Sequence, residues 1–234
     1  MRVYVASAMP TSYPFKLQKP STVSSRVRDS AESFIMDSGI GDDVSNKEVL
    51  DLAAAYDADF VVAKDFLHEQ ERTTESVHEF MDLYQEHETE ATPMIPLQPP
   101  FDKHYAQLDG FNHYVLGGMA LDSVDTSQQI RWIEQFRRVA PNVYAHGLGV
   151  GGGIEFVQKV AGRGLLDSID CSTPEQAAMF GAILDKRLRQ QDVMTFPGGE
   201  GKSKRTYAIA EFNSWQLNDV WELEAQSGGL EHYV

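Results

Sequence analysis

The sequence predicts a single (β/α)8 barrel of the TIM type. Short β-branched and apolar runs recur at intervals of roughly 20–35 residues, a spacing that fits strand-helix units better than the strands of a β-sandwich. Helical patterns lie between them, and seven or eight parallel strands with crossover helices close naturally into a barrel. The chain has 234 residues, and barrels of this kind use about 200–250. No Ser/Gly/Pro-rich linker divides it, so residues 1–234 are read as one domain. A doubly wound open sheet is the alternative architecture.

Strands are expected near Val3 to Ala6, Phe34 to Asp37, Phe60 to Asp65, Pro93 to Gln98, Tyr114 to Gly117, Val143 to Gly147 and Leu165 to Asp170. Tyr207 to Phe212 supplies a candidate eighth. The helical patterns run over Lys47 to Tyr56, Thr74 to His87, Ser127 to Val139, Ile154 to Ala161 and Pro174 to Arg189. Pro174 follows Ser172-Thr173 and precedes Glu175, a chemically sensible helix start. From Gln190 onward the pattern is less regular.

Composition narrows the function classes. The 35 acidic against 20 basic residues give a net charge of -15, spread along the chain rather than gathered in a tail. Such a surface suits high salt, so a halophilic setting is expected. The single cysteine, Cys171, excludes an internal disulfide and a multi-cysteine zinc site. No apolar run reaches the ~20 residues that span a bilayer, and the N-terminus lacks a signal-peptide core, so a cytoplasmic protein without membrane contact is expected.

In this fold the chemistry gathers at the C-terminal ends of the strands. The expected strands end in Asp37-Ser38-Gly39, Asp65, Gln98, Gly117-Gly118 and a run carrying Asp167. Two carboxylates from different strands can divide a glycosidic displacement, one attacking the anomeric carbon and the other moving protons. Asp167 and Asp37 are the candidates for those parts. Glycines let backbone amides approach a planar ligand, and Gln98 offers both a donor and an acceptor, so the set also suits reading a purine edge. Each signal alone has a plainer explanation: Asp-Ser-Gly also serves turns and helix caps. The glycine run from Gly149 to Gly153 lacks the Lys-Ser/Thr of a P-loop.

Order and spacing together are more specific. MDSG at Met36 to Gly39, VVAKD at Val61 to Asp65, the Gln98 run, VLGGMA at Val115 to Ala120, GLGVGGG at Gly147 to Gly153 and GLLDSIDCSTPEQAAMFG at Gly164 to Gly181 resemble the tRNA-guanine transglycosylase superfamily. The resemblance covers roughly two thirds of the chain, from Phe34 to Gly181. It implies a (β/α)8 barrel that exchanges guanine for a 7-deazaguanine base. It implies Asp167 as the covalent nucleophile, Asp37 as general acid/base with Ser38 beside it, and Asp65, Gln98, Gly117 and Gly118 as readers of the base. Leu148 falls where the family sets an apolar side chain against the base. Asp170, three residues beyond Asp167, is the rival nucleophile if the register shifts.

Departures from the pattern point to one branch. The cysteines of the family's zinc site are missing, so neither zinc nor another cofactor is expected. An appended RNA-binding domain is not expected, Gly41-Asp42 stand where an aromatic follows the DSGG segment, and Ile169 to Pro174 replace the Pro-Thr-Arg motif. A minimal barrel without the zinc-binding subdomain resembles the deazaguanine DNA transglycosylases of viruses and modification clusters, whose products mask restriction sites. The implied partners are DNA in preference to tRNA, a free 7-deazaguanine base and a homodimer mate. Lys202, Lys204 and Arg205, with Arg187 and Arg189, form a candidate phosphate-binding patch on an otherwise acidic chain. Exchange in tRNA and a non-catalytic deazapurine-binding barrel are the alternative functions.

Overall fold

The computed structural model describes residues 1–118, 125–150, 153–193 and 204–228. Eight parallel strands close on themselves: β1 (Arg2–Ala6), β2 (Phe15–Gln18), β3 (Ser33–Met36), β4 (Phe60–Val62), β5 (Thr92–Leu97), β6 (His113–Leu116), β7 (Tyr144–Gly147) and β8 (Ser168–Cys171). Closure is made by β8 against β1, from Arg2↔Ser168 to Val5↔Cys171. Helices α1 (Ser25–Arg28), α2 (Asn46–Ala55), α3 (Gln70–Glu86), α4 (Phe101–Tyr105), α5 (Thr126–Val139) and α6 (Ile154–Ala161) connect successive strands from β2 to β8. The protein is a (β/α)8 barrel, as the strand-helix alternation predicts.

Side-chain alternation along each strand sorts the core into two layers. Tyr4, Leu17, Ile35, Val62, Met94, Val115 and Leu148 fill the barrel interior. Their outward-facing neighbours, among them Val3, Phe34, Val61, Ile95, Tyr114 and Ile169, meet the helices in a larger cluster. No helix among the described residues is long and apolar enough to cross a membrane.

Three expectations change. The eighth strand is β2, not Tyr207 to Phe212; its four residues all pair with β3, from Phe15↔Ser33, and Lys16 and Leu17 also pair with β1. Tyr207 to Phe212 lies inside α8 (Lys204–Gly228), so much of the C-terminal part expected to be irregular is a 25-residue helix. Its buried positions, including Ala210, Asn213, Ser214, Leu217, Asn218 and Trp221, recur at three and four residues, the helical period. Finally, the helix expected over Pro174 to Arg189 stops early. α7 spans Thr173–Met179, Gly181 turns the chain at φ +76°, and β9 (Ala182–Leu184) and β10 (Gln190–Asp192) form an antiparallel hairpin.

No helix separates β1 from β2, and α8 packs against this flank instead. Tyr13 in the connecting loop donates to Val3 O (2.6 Å) and to Asn218 Oδ1 (3.3 Å), and its ring meets Trp215 edge-on at 5.1 Å. Ser12 N donates to Glu211 (3.1 Å). Further along α8, fully buried Trp221 packs on Phe156 of α6, a contact whose loss to Ala costs about 3–5 kcal/mol.

Candidate active site

Parallel strands deliver all their C-terminal ends to one mouth. Asp37 follows β3 directly, Gln98 follows β5, Gly117 and Gly118 follow β6, Leu148 follows β7, and Asp65 lies three residues past β4. Three of them are held by a backbone bond that continues the strand ladder: Asp37 N to Gln18 O (2.9 Å), Gly117 N to Leu97 O (3.0 Å) and Leu148 N to Leu116 O (3.0 Å). The structure therefore brings together Asp37, Ser38, Asp65, Gln98, Gly117, Gly118 and Leu148, all predicted from sequence.

Asp65 and Gln98 form the tightest pair, with Gln98 Nε2 donating to Asp65 Oδ2 at 2.6 Å. Burial raises the Asp65 carboxyl to about 6, opposed by the Gln98 hydrogen bond. At neutral pH it is mostly an anion with one oxygen engaged. Gln98 is itself braced: its backbone N–H donates to His104 Nδ1 (2.8 Å), its carbonyl accepts from Gln70 Nε2 (3.0 Å), and its side-chain oxygen accepts from His68 N (3.4 Å). Burial lowers His104 to about 4, so the ring is neutral, accepts at Nδ1 and carries its proton at Nε2 toward Thr74 Oγ1, 3.0 Å away. Gly117 allows this packing, since a Cβ there would stand 3.2 Å from Gln98 Nε2 and 3.4 Å from Asp65 Oδ2. Gly118 takes φ +69°, a conformation natural to glycine.

Asp37 is the most perturbed carboxyl of the mouth. Burial first, and then the charges of Asp65 and Asp170, raise it to about 7, against hydrogen bonds from the Gly39 and Ser38 amides. A carboxyl so placed exchanges protons at neutral pH. The neighbouring Ser38 hydroxyl is buried with no hydrogen-bond partner among the described residues, and Leu148 packs into the interior apolar cluster.

Asp167 is not in this mouth. The strand begins at Ser168, not Leu165, so Asp167 precedes it and sits at the opposite end of the barrel. Its Oδ2 accepts from Arg137 (2.6 Å) and from Ala145 N (2.8 Å), and its side chain is 44% exposed. Three residues at ~3.3 Å each put Asp167 about 10 Å from Asp170 along the strand, and on the other side of the pleat. Asp170 occupies the position assigned to Asp167: it is buried, it lies on β8 near the C-terminal end, and its charge acts on Asp37. Its Oδ1 accepts from Gly149 N (2.8 Å) and meets His146 Nε2 at 3.3 Å. Among the described residues its Oδ2 takes no hydrogen bond.

Two histidines carry more of the site than the sequence predicts. His104 braces Gln98, and His146, fully buried on β7, braces Asp170. For His146 the available signal is position, because it stands on an interior-facing register beside β8, paired with Ser168. Of the candidate phosphate-binding residues, Lys204 and Arg205 are exposed at the start of α8, while Lys202 lies outside the described residues, as do Gly151 and Gly152 of the glycine run. Arg187 and Arg189 are exposed at the β9–β10 turn. Clefts of about 600 Å³ (Pro20, Asp42, Leu52) and 630 Å³ (Arg2, Phe15, Phe60) open on the flank and at the N-terminal mouth. Their lining carboxylates are wholly or partly exposed, so neither reproduces the buried cluster.

No family model and no curated protein matches this chain. Among solved structures it is similar to CdNal from Clostridium difficile, solved in complex with mannosamine, at a TM-score of 0.51 and 13% identity. The match covers 93% of this chain and 66% of that one, so the chain spans just under two thirds of its neighbour's length. At this identity the likeness is one of fold, a TIM barrel in both.

Proposed function

We propose that this barrel is a base-exchange transglycosylase that replaces guanine in DNA by a 7-deazaguanine derivative, with Asp170 as nucleophile and Asp37 as general acid/base. What supports the reading most is the convergence of Asp37, Asp65, Gln98 and Asp170 on one mouth, two as a hydrogen-bonded pair and two as proton-exchanging and tethered carboxylates. The Asp65 anion accepts from the ring N–H and amino groups of a guanine-like base. Gln98 Nε2 has a second proton beyond the one given to Asp65, and that proton suits the base carbonyl.

In the first half-reaction Asp170 Oδ2 bonds to C1′ as the C1′–N9 bond breaks, and protonated Asp37 gives its proton to the departing base. In the second, Asp37 takes the N9 proton of the incoming base, N9 bonds to C1′, and the C1′–Oδ2 bond breaks, returning its electron pair to Asp170. Two displacements retain the configuration at C1′. The target base leaves the stack to reach the mouth. Lys204, Arg205 and Arg187 are exposed cations offered to phosphates, beside Arg189, which is paired with Asp185, so binding should weaken as salt rises.

Purified protein incubated with radiolabelled guanine and either duplex DNA or tRNA, over a range of salt, tests the proposal. Label in DNA alone supports it, and label in tRNA alone transfers the chemistry to the other polymer. Label in neither, with the base still bound, replaces the enzyme by a base-binding barrel.

A further inference from the structure

We infer that His146 is a positioning residue of the nucleophile, joining the Gly149 amide at Asp170 Oδ1 with an N–H whose direction is set by a hydrogen-bond chain running through the barrel interior from Tyr144 and Ser168. The inference rests on the reading of Asp170 as nucleophile. The chain has four members on two adjacent strands: Tyr144 Oη to Ser168 Oγ (2.6 Å), Ser168 Oγ to His146 Nδ1 (2.7 Å), and His146 Nε2 to Asp170 Oδ1 (3.3 Å). His146 and Ser168 are fully buried.

Donor counting fixes the direction. An ionised Asp170 only accepts, so His146 Nε2 carries the proton. A ring with its one proton on Nε2 then accepts at Nδ1, which requires the Ser168 hydroxyl proton, and Ser168 in turn accepts from Tyr144. Burial holds the Tyr144 hydroxyl at about 12, so it remains a donor through the physiological range. In this arrangement every proton in the chain is used once. From β1, Tyr4 meets the imidazole edge-on at 5.8 Å.

The two half-reactions feel this bond differently. When C1′ bonds to Oδ2, the carboxylate loses its charge, and a donor at Oδ1 gives no help. When the C1′–Oδ2 bond breaks, the charge returns to the carboxylate, and the Nε2–H stabilises it as it forms. Loss of the donor therefore slows resolution of the covalent intermediate more than its formation.

His146→Phe keeps the ring's bulk and removes both nitrogens, while His146→Gln restores an N–H donor and an acceptor. The protein-DNA adduct, trapped by denaturation and then chased with free base, should form in His146→Phe within about threefold of the wild-type rate but resolve at least about 10-fold more slowly, a charge-assisted bond's share of the barrier. The Gln variant should recover most of that loss. Wild-type resolution in the Phe variant, or equal slowing of both steps in both variants, would overturn the inference. If the Phe variant does not fold, Ser168→Ala carries the test, with slower resolution of the adduct expected and wild-type resolution contradicting it. Nitrogen-15 NMR of the wild-type ring reads the chain without any turnover: a proton on Nε2 and none on Nδ1 is expected, and the opposite tautomer overturns it. Absence of an adduct on any polymer would sink the base-exchange reading, and the NMR result would still decide the chain.

Discussion

The two mouths of the barrel are made by the same strands, yet they hold their carboxylates in opposite ways. At the N-terminal mouth Asp167 is paired with Arg137 at 2.6 Å, and Asp59 accepts from Phe34 N at 2.7 Å. These carboxylates are exposed and matched to donors. At the C-terminal mouth Asp37, Asp65 and Asp170 are buried together, and at Asp37 desolvation and two like charges outweigh the hydrogen bonds from the Gly39 and Ser38 amides. One end spends its acids on holding strands in place. The other stores electrostatic strain where a ligand would relieve it, which is the arrangement expected of a reacting site.

Substituting Asp37 probes the strained end most severely. Asp37→Asn should lower base exchange by about 10²–10⁴-fold, the usual share of a general acid/base, while making the fold more stable at high pH. The folded carboxyl sits near 7 against about 4 when unfolded. Its penalty is therefore absent below pH 4, grows as pH rises through 7, and is complete above it. Thermal melts should show the Asn variant gaining about 2–4 kcal/mol over wild type at pH 8 and little at pH 4. Loss of stability at pH 8 would mean that Asp37 is a structural acid like those at the other end.

A smaller effect is expected from Gly117→Ala, whose Cβ would press on Gln98 Nε2 and Asp65 Oδ2. Calorimetric titration with a 7-deazaguanine should show binding weakened by about 10-fold, the equivalent of ~1.4 kcal/mol, with little change in melting. Unchanged affinity would remove the Asp65–Gln98 pair from the base site. The matched end should respond in stability alone. Arg137 also donates to Leu165 O (2.7 Å) and Val143 O (2.6 Å), so Arg137→Ala should cost about 2–3 kcal/mol in chemical denaturation and leave exchange by the remaining folded protein unaltered. A large loss of exchange at full folding would erase the contrast between the two mouths.

Much of this division is legible in the sequence, because strand ends in a barrel are predictable positions. Asp37, Ser38, Asp65, Gln98, Gly117 and Gly118 each follow an apolar, partly β-branched run as a polar or small residue, and the structure gathers them. The nucleophile shows why the rest was harder. In Leu165 to Asp170 the apolar pair precedes the strand, which starts at Ser168, so the aspartate beside the leucines is at the wrong end. Strand β2 was hidden because four residues between Pro14 and Pro20 have little signal of their own and exist through pairing on both sides. Helix α8 was hidden for the opposite reason: it buries Thr206, Asn213, Ser214 and Asn218 among its apolar residues, which blurs the period that would reveal it. Asn213 shows what such residues do, donating to Pro174 O and Ala182 O while accepting from Leu184 N.

The most direct test of the account compares the two aspartates of the same short segment. Asp170→Asn and Asp167→Asn would each be incubated with guanine-containing DNA, denatured, and resolved for a covalent protein-DNA adduct, with folding checked by circular dichroism. The account predicts no adduct from folded Asp170→Asn, and an adduct at wild-type yield from Asp167→Asn, whose cost is limited to its bonds with Arg137 and the Ala145 amide. An adduct that survives in Asp170→Asn and disappears in folded Asp167→Asn would contradict it.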